Sequence, residues 1–117
     1  MAFTSDIHDN PAWRLAHELN LRVDVFLGCP EFRQEFKCCD ELRAAARSAP
    51  LQIAEGYARQ QYADSADFVQ RARLSEQQVL TFLIAARRQH LISADELDIN
   101  RWLTKRAMKA ALALLPE

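Results

Sequence analysis

Apolar residues recur along this chain at spacings of three and four, which is the period of an amphipathic α-helix. Asn10 followed by Pro11 favours a helix start, because asparagine caps free backbone N–H groups and proline lacks one. The first predicted helix runs from about Pro11 to Leu27, and Gly28-Cys29-Pro30 predicts the break that follows it. Its apolar line is Ala12, Ala16, Leu19, Val23 and Phe26.

The second predicted helix is one continuous element from about Glu31 to Arg59. Its apolar line is Phe32, Cys39, Leu42, Ala46, Ala49, Ile53 and Gly56. Pro50 lies inside it, and an interior proline removes one backbone hydrogen bond, so we expect a bend there. Because most residues around the proline are small, a neighbouring helix can approach this one closely.

Two more helices are predicted after a turn at residues 60–63. The third is capped by Asp64 or Ser65, and its apolar line is Phe68, Ala72, Ser75, Val79, Leu83 and Ala86. Near its end, residues 79–84 are apolar almost all round, which predicts either burial or contact with a partner subunit. A capping box at Ser93–Glu96 opens the fourth helix, and Pro116 ends it. The core line of that helix is Ile99, Leu103, Ala107, Ala110 and Leu114, with Trp102 beside it.

Four helices joined by short turns predict an all-α, antiparallel up-down four-helix bundle over residues 10–117, preceded by a flexible arm at residues 1–9. Half of the 117 residues are hydrophobic and only two are glycine, a composition that favours helix. The apolar faces of the first and third helices are wider than one bundle core requires. This surplus predicts either burial within the chain or contact with a partner subunit.

The charge and cysteine content narrow the class of protein. A net charge of −1 and a pI near 6.3 exclude a polycation, so any contact with nucleic acid must come from a local patch. Cys29, Cys38 and Cys39 are odd in number and lack metal-ligand spacing. With no apolar run of membrane-spanning length and no leader pattern, we expect a reduced, cytoplasmic protein that does not contact membranes.

Catalytic and metal-binding patterns are missing from the sequence. None of His8, His17 and His90 has a glutamate three residues earlier, as a di-iron bundle requires, and no glycine-rich phosphate loop exists. The vicinal pair Cys38-Cys39 has two interpretations, a redox pair or simple packing, and we favour packing because no basic neighbour is evident. We expect no enzyme, cofactor, metal or small-molecule substrate.

Glu55 is the carboxylate with the most open interpretation. It is four residues before Arg59, which predicts an ion pair on the helix surface. It also stands among small residues, and a carboxylate there is often close to another backbone. The second interpretation is therefore a buried cap or an interface ion pair.

Basic residues form the candidate phosphate-contacting surfaces. Arg101, Lys105 and Lys109 share one row of the fourth helix, with Arg106 adjacent, and Arg43 and Arg47 make a second pair. The third helix adds Arg71, Arg73, Arg87 and Arg88. In a monomer these groups are best explained as solvated faces, but a symmetric ring would repeat each row and strengthen its field.

The segment Ser48–Arg59, SAPLQIAEGYAR, resembles the signature S-I-P-x-N-I-A-E-G-x-x-R of the 23S rRNA intervening-sequence protein family. The signature positions that agree are Ser48, Pro50, Ile53, Ala54, Glu55, Gly56 and Arg59. Ala49 and Gln52 depart from it, and Ala44 stands where an arginine is common.

This resemblance implies a non-enzymatic four-helix subunit that assembles into a ring, typically a homopentamer. Related accessory proteins of diversity-generating retroelements bind a reverse transcriptase and nucleic acid through basic surfaces. We therefore expect a scaffold or binding module for RNA or a nucleic-acid-processing protein, with basic rows contacting phosphate. The alternative is a protein–protein adaptor with no nucleic-acid role.

Overall fold

The structure, a computed structural model, describes residues 6–59 and 65–115, and within these residues the protein is helical with no β-strand. A 3-10 turn at Ile7–Asp9 precedes five α-helices: α1 (Pro11–Leu27), α2 (Pro30–Glu35), α3 (Cys39–Ala58), α4 (Ser65–Arg88) and α5 (Ala94–Leu112). The all-α prediction is confirmed. The predicted turn at 60–63, the Asp64 cap, the Pro116 stop and residues 1–5 of the predicted arm lie outside the described residues.

The starts of α1 and α5 follow the capping chemistry of the sequence, whereas α2 and α3 begin after Cys29 and Cys38 without a side-chain cap. The Asn10 side chain accepts a hydrogen bond of 2.9 Å from the backbone N–H of Ala12 at the start of α1. At α5, Glu96 N–H donates to Ser93 Oγ at 3.0 Å, and Ser93 N–H donates to Glu96 Oε1 at 2.7 Å. The predicted capping box is therefore confirmed. Ser65 is the first residue of α4 and lies inside it.

The continuous second helix is a wrong prediction, because residues 36–38 interrupt it between α2 and α3. Phe36 is extended, with ψ 114°, and its ring lies 5.2 Å from that of Phe32, which stacks on Phe26 at 5.8 Å. In an unbroken helix, Phe36 and Leu42 would point about 120° apart. The break lets both side chains enter the core, where each is at most 2% exposed.

Helix α3 runs without interruption through Pro50, which is buried. The bend expected at this proline stays a prediction. Every residue on its apolar line from Leu42 to Gly56 is buried, as the spacing predicted.

The four long helices pack in a closed cycle. α1 packs against α3 and α5, and α4 packs against the same two helices. Two apolar clusters fill the interior of a molecule 45 Å long and 23 × 21 Å across. The larger holds most of the leucines and phenylalanines, and the smaller is rich in alanine: Ala12, Ala16, Ala49, Ile53, Val69, Ala72, Ala111 and Leu114.

The apolar residues beyond those that one bundle core requires are covered at the end of α4 but partly exposed on α1. At the end of α4, Val79, Leu80 and Leu83 are buried, and Phe82 and Ile84 pack against the larger cluster, so the chain itself covers that end. On α1, by contrast, Leu21 and Val25 remain exposed. Within residues 6–59 and 65–115, no helix combines the length and hydropathy needed to cross a bilayer.

The predicted core line of α5 needs correction. Ile99 is exposed and Ala110 is only half-buried, whereas Leu103, Ala107 and Leu114 are buried as predicted. The polar residues Asn100 and Thr104 are buried on this helix as well. The buried stripe is therefore rotated from the purely apolar line towards two polar side chains.

Candidate functional site

The family-signature residues build the contact between α3 and α4. Ser75 Oγ donates a hydrogen bond of 3.0 Å to Ser48 Oγ, which joins the two helices. Gly56 is buried, and a Cβ at this position would lie 3.4 Å from Phe68 Cβ and Val69 Cγ2. Ile53 is fully buried in the alanine-rich cluster. These residues set how closely the two helices approach.

The exposed end of the signature is an ion pair. Glu55 Oε2 lies 3.5 Å from Arg59 Nε, and about half of each side chain is exposed. Of the two interpretations of Glu55, the surface pair is correct within this chain, and the buried cap is wrong. The Arg59 guanidinium also lies 5.2 Å from the centre of the Phe68 ring, as does the Arg71 guanidinium. Ala54, the remaining signature residue, is half-buried on α3.

The outer face of α5 carries the other candidate residues. Lys105, Arg106 and Lys109 are exposed and Arg101 is half-buried, so the predicted basic row does face outward. Trp102 stands among them with 58% of its surface exposed, and the Arg106 guanidinium covers its ring at 4.6 Å. We define the outer face of α5 as Arg101, Trp102, Lys105, Arg106 and Lys109.

Sequence reasoning placed Trp102 beside the core line and missed its role on this surface. The signal was present in its helical neighbours. Asp98, Lys105 and Arg106, three or four residues away, are all charged. A residue whose helical neighbours are charged lies on the outward face.

The remaining basic residues are not brought to this face. Arg43 lies 3.3 Å from Asp40, and Arg47 is exposed, but both are on α3, whose packing partners are α1 and α4. On α4, Arg73 Nη1 donates to Gln70 at 3.2 Å, and Arg87 Nη1 donates to the Ile92 carbonyl at 3.3 Å. With Arg71 lying over Phe68, three of the four α4 arginines serve contacts within the chain.

A buried carboxyl group, Glu76, is a second feature that the sequence analysis did not single out. Its side chain is 0% exposed, and within residues 6–59 and 65–115 neither carboxylate oxygen has a hydrogen-bond partner. Burial raises the pKa of Glu76 to about 8, which Arg73 on the preceding turn opposes. Glu76 follows Ala72 by four residues and precedes Val79 by three, so helical spacing could have placed it in the core.

The two buried polar side chains of α5 donate hydrogen bonds to backbone carbonyls of their own helix. Thr104 Oγ1 donates to the Asn100 carbonyl at 2.7 Å, and Asn100 Nδ2 donates to the Glu96 carbonyl at 2.7 Å. These bonds satisfy the donor group of each side chain, although Asn100 Oδ1 is buried without a hydrogen-bond partner in the described part of the chain. Glu76 lacks this support, so its neutral form is the one that the folded protein stabilises.

The cysteines and acidic residues form no recognisable reactive centre. In the described part of the chain, no three His, Cys, Asp or Glu residues converge as metal ligands would. All three cysteines are free. A hydrogen bond with Glu41 raises the pKa of Cys38, and burial raises that of Cys39. Since a raised pKa disfavours the thiolate, and both side chains pack against the larger cluster, the packing interpretation is favoured.

Comparison of the chain with protein families gives a match over residues 8–111 to the 23S rRNA-intervening sequence protein. No curated protein and no solved structure matches the chain. The matched region takes in α1 to α4 completely and α5 as far as Ala111, together with the whole signature on α3. The chain therefore belongs to the 23S rRNA-intervening sequence protein family.

Proposed function

We propose that this protein is a non-catalytic binding module for RNA, alone or within a ribonucleoprotein, and that the outer face of α5 contacts the RNA. The observation that carries this proposal is the grouping of four cationic side chains around one exposed tryptophan. The family's description, which links it to 23S rRNA, supports the same class of ligand.

The chemistry of this face suits phosphate contacts. Lysine and arginine neutralise phosphates and release condensed counterions, which favours binding at low salt and weakens it as salt rises. Such contacts position a nucleic acid without reading its sequence. A chain with a net charge of −1 can bind in this way only where its cations are concentrated, as they are between Arg101 and Lys109 of α5, a segment without acidic residues.

The proposal includes an assembly. The four long helices would form an antiparallel up-down bundle, bent at Pro50, and five copies would form a ring in the cytoplasm. Support comes from the closed packing cycle of the four helices and from the exposed Leu21 and Val25 on α1. A ring would repeat the outer face of α5 five times, which strengthens a modest patch through multivalent contact.

The test is RNA binding as a function of salt. Removing the charges of Arg101, Lys105 and Lys109 together, each as alanine, should weaken binding and flatten the salt dependence by about 0.7 in the log–log slope for each lost phosphate contact on a single strand. Fluorescence anisotropy with labelled RNA measures both. Arg47→Ala removes one exposed charge from α3 and should change the slope less than Lys105→Ala does. Equal binding by wild type and the triple variant would refute the role of this face.

A protein–protein adaptor is the second candidate function. Leu51 on α3 and Leu74 on α4 are exposed, at 66% and 59%, and α3 packs against α4. A contiguous apolar patch on these two helices would be typical of a protein contact. Light scattering after size-exclusion chromatography gives the mass, and absorbance at 260 and 280 nm shows co-purifying nucleic acid. A mass near five subunits with a high 260/280 nm absorbance ratio favours the RNA module. The same mass with a low absorbance ratio favours the adaptor.

A further inference from the structure

We propose that Trp102 is a stacking platform for an unpaired nucleobase, so that the outer face of α5 takes single-stranded RNA in preference to duplex. This inference rests on the proposed function and names the form of RNA that the site accepts. Its basis is the place of one large aromatic ring among cations on an otherwise solvated helix face.

The ring itself is available. Trp102 keeps 58% of its surface exposed, and in the described part of the chain the other large exposed hydrophobic residues are all aliphatic. The Arg106 guanidinium lies 4.6 Å from the ring centre and so occupies one face. A planar ring has two faces, and the guanidinium covers one of them, which leaves the other for a second planar group.

The contrast with the other tryptophan supports this assignment. Trp13 on α1 is half-buried, stacks on His17 with ring centres 4.6 Å apart, and meets the edge of His8 at 4.5 Å. Its ring is already used within the chain. Trp102 has only the cation of Arg106 as a described ring partner, an arrangement that strengthens the affinity of the site for a stacked base and its phosphate together.

The surroundings of Trp102 suit an extended strand. Two shallow grooves lie along the seam between α1 and α5. The lining of one includes Val25, Ile99, Arg22 and Glu96, and that of the other includes Arg14, Arg106 and Glu18. Trp102 lies between Ile99 and Arg106 in the sequence of α5, so it follows the groove at Ile99 and precedes the groove at Arg106 along the helix. A flexible strand can place one base on the tryptophan while its backbone follows Arg14 and Arg106.

A duplex cannot use this site in the same way. Its bases are already paired and stacked, so a side chain on a convex helix face reaches its phosphates, 2′-hydroxyls and base edges but no free base face. The cations would therefore bind both forms, and only the single strand would gain the stacking contact. Base–aromatic stacking tolerates any sequence because every base has a π-face.

The experiment compares an oligouridylate of about 12 nucleotides with the duplex it forms with oligoadenylate. Trp102→Ala should weaken single-strand binding roughly 5- to 100-fold, leave duplex binding within about 2-fold, and leave the salt slope unchanged, because stacking releases no counterion. Lys105→Ala is the matched control. It should weaken the binding of both the single strand and the duplex, and it should flatten the salt dependence of that binding.

A spectroscopic measurement adds a direct readout. In a Trp13→Phe background Trp102 is the remaining tryptophan, and a stacked base should quench its fluorescence on titration with the single strand. The duplex should quench it little. Trp102→Phe, which keeps a smaller π-face, should retain part of the single-strand preference.

The outcomes separate the two proposals. If RNA binds and Lys105→Ala weakens it while Trp102→Ala does not, the stacking inference is wrong and the proposed function stands. If wild type binds neither form at low salt, both are wrong. If Trp102→Ala instead changes the mass of the assembly, a second copy of the chain covers the ring, and the inference is overturned.

Discussion

The contact between α3 and α4 and the outer face of α5 use their distinctive residues in opposite ways. At the α3–α4 contact, Ser48 and Gly56 are turned towards a neighbouring helix, and little of them faces water. On α5, Trp102 and Lys105 are turned away from the rest of the chain. The most recognisable segment of the sequence is thus the more structural one.

This difference teaches where to look for function in the family. The signature on α3 identifies the chain because close helix packing tolerates few side chains at Ser48, Ile53 and Gly56. The outer face of α5 carries no comparable pattern, since a cation at one of several exposed positions serves equally well. Substitutions at the first region should change stability, and those at the second should change RNA binding.

The largest effect is expected at Glu76, on the buried side of α4. The folded carboxyl keeps its proton up to about pH 8, whereas in the unfolded chain it ionises near the ordinary 4.5. Between these values unfolding releases a proton, so the free energy of unfolding should fall as pH rises, by up to about 5 kcal/mol. Urea denaturation across this range measures it.

Glu76→Gln is the matched control for this prediction. It keeps the size of the side chain and removes the titration, so the decline between about pH 4.5 and 8 should shrink relative to wild type. Glu76→Leu should be more stable than wild type at pH 8, because it buries no partnerless polar group. Parallel pH profiles of wild type and Glu76→Gln would show that Glu76 ionises normally in the folded protein.

A smaller effect is expected at Gly56, where α4 passes closest. Gly56→Leu should cost about 1–3 kcal/mol of unfolding free energy, since its side chain would extend into Phe68 and Val69. Gly56→Ala should be tolerated, because its Cβ would make ordinary contacts at 3.4 Å and alanine favours helix by about 1 kcal/mol. Thermal unfolding of the pair tests this, and equal stability of both variants would contradict a close approach at Gly56.

Ser48 should contribute less. Ser48→Ala leaves Ser75 Oγ without its 3.0 Å partner and should cost about 0.5–1.5 kcal/mol. A double-mutant cycle with Ser75→Ala isolates the pair, and we expect the double variant to cost less than the sum of the single ones. Additive costs would mean that the hydrogen bond does not couple the helices. RNA affinity, measured alongside, should not change in any of these folded variants.

The smallest effect on stability is expected on the outer face of α5. Lys105→Ala and Lys109→Ala should change the free energy of unfolding by no more than about 0.5 kcal/mol, since both side chains are exposed. Both should weaken RNA binding. A loss of stability larger than that of Ser48→Ala would show that these two lysines take part in the packing and would remove the contrast between the two regions.

Much of the fold was predictable from local chemistry. Asn10 and the Ser93–Glu96 box predicted two helix starts correctly, and the line from Ala12 to Phe26 is buried as its spacing indicated. Local reasoning failed between Pro30 and Cys39, where no glycine or proline marks the break at Phe36–Cys38. That break depends on the packing of Phe32 and Phe36 with Phe26, a contact between different elements.

The candidate site was predictable in part. The basic residues of α5 were named from their four-residue spacing. That spacing did not show whether they, Arg43 and Arg47, or the α4 arginines are the better candidates for phosphate contact. Only the structure showed that Arg71 and Arg87 serve contacts within the chain and that Trp102 lies exposed beside Arg106. A helical period states which residues share a face and leaves open what covers that face.

The sequence by itself determined that this protein is helical, where its capped helices begin, and to which family it belongs, because helix period, capping and the α3 signature are local properties of the chain. Only the tertiary structure decided that the second helix breaks at Phe36, that Glu76 is buried and neutral, and that Trp102 faces water. Each of these depends on which helix faces pack together. The local sequence pattern allows several faces to be buried, and contacts between distant parts of the chain select among them.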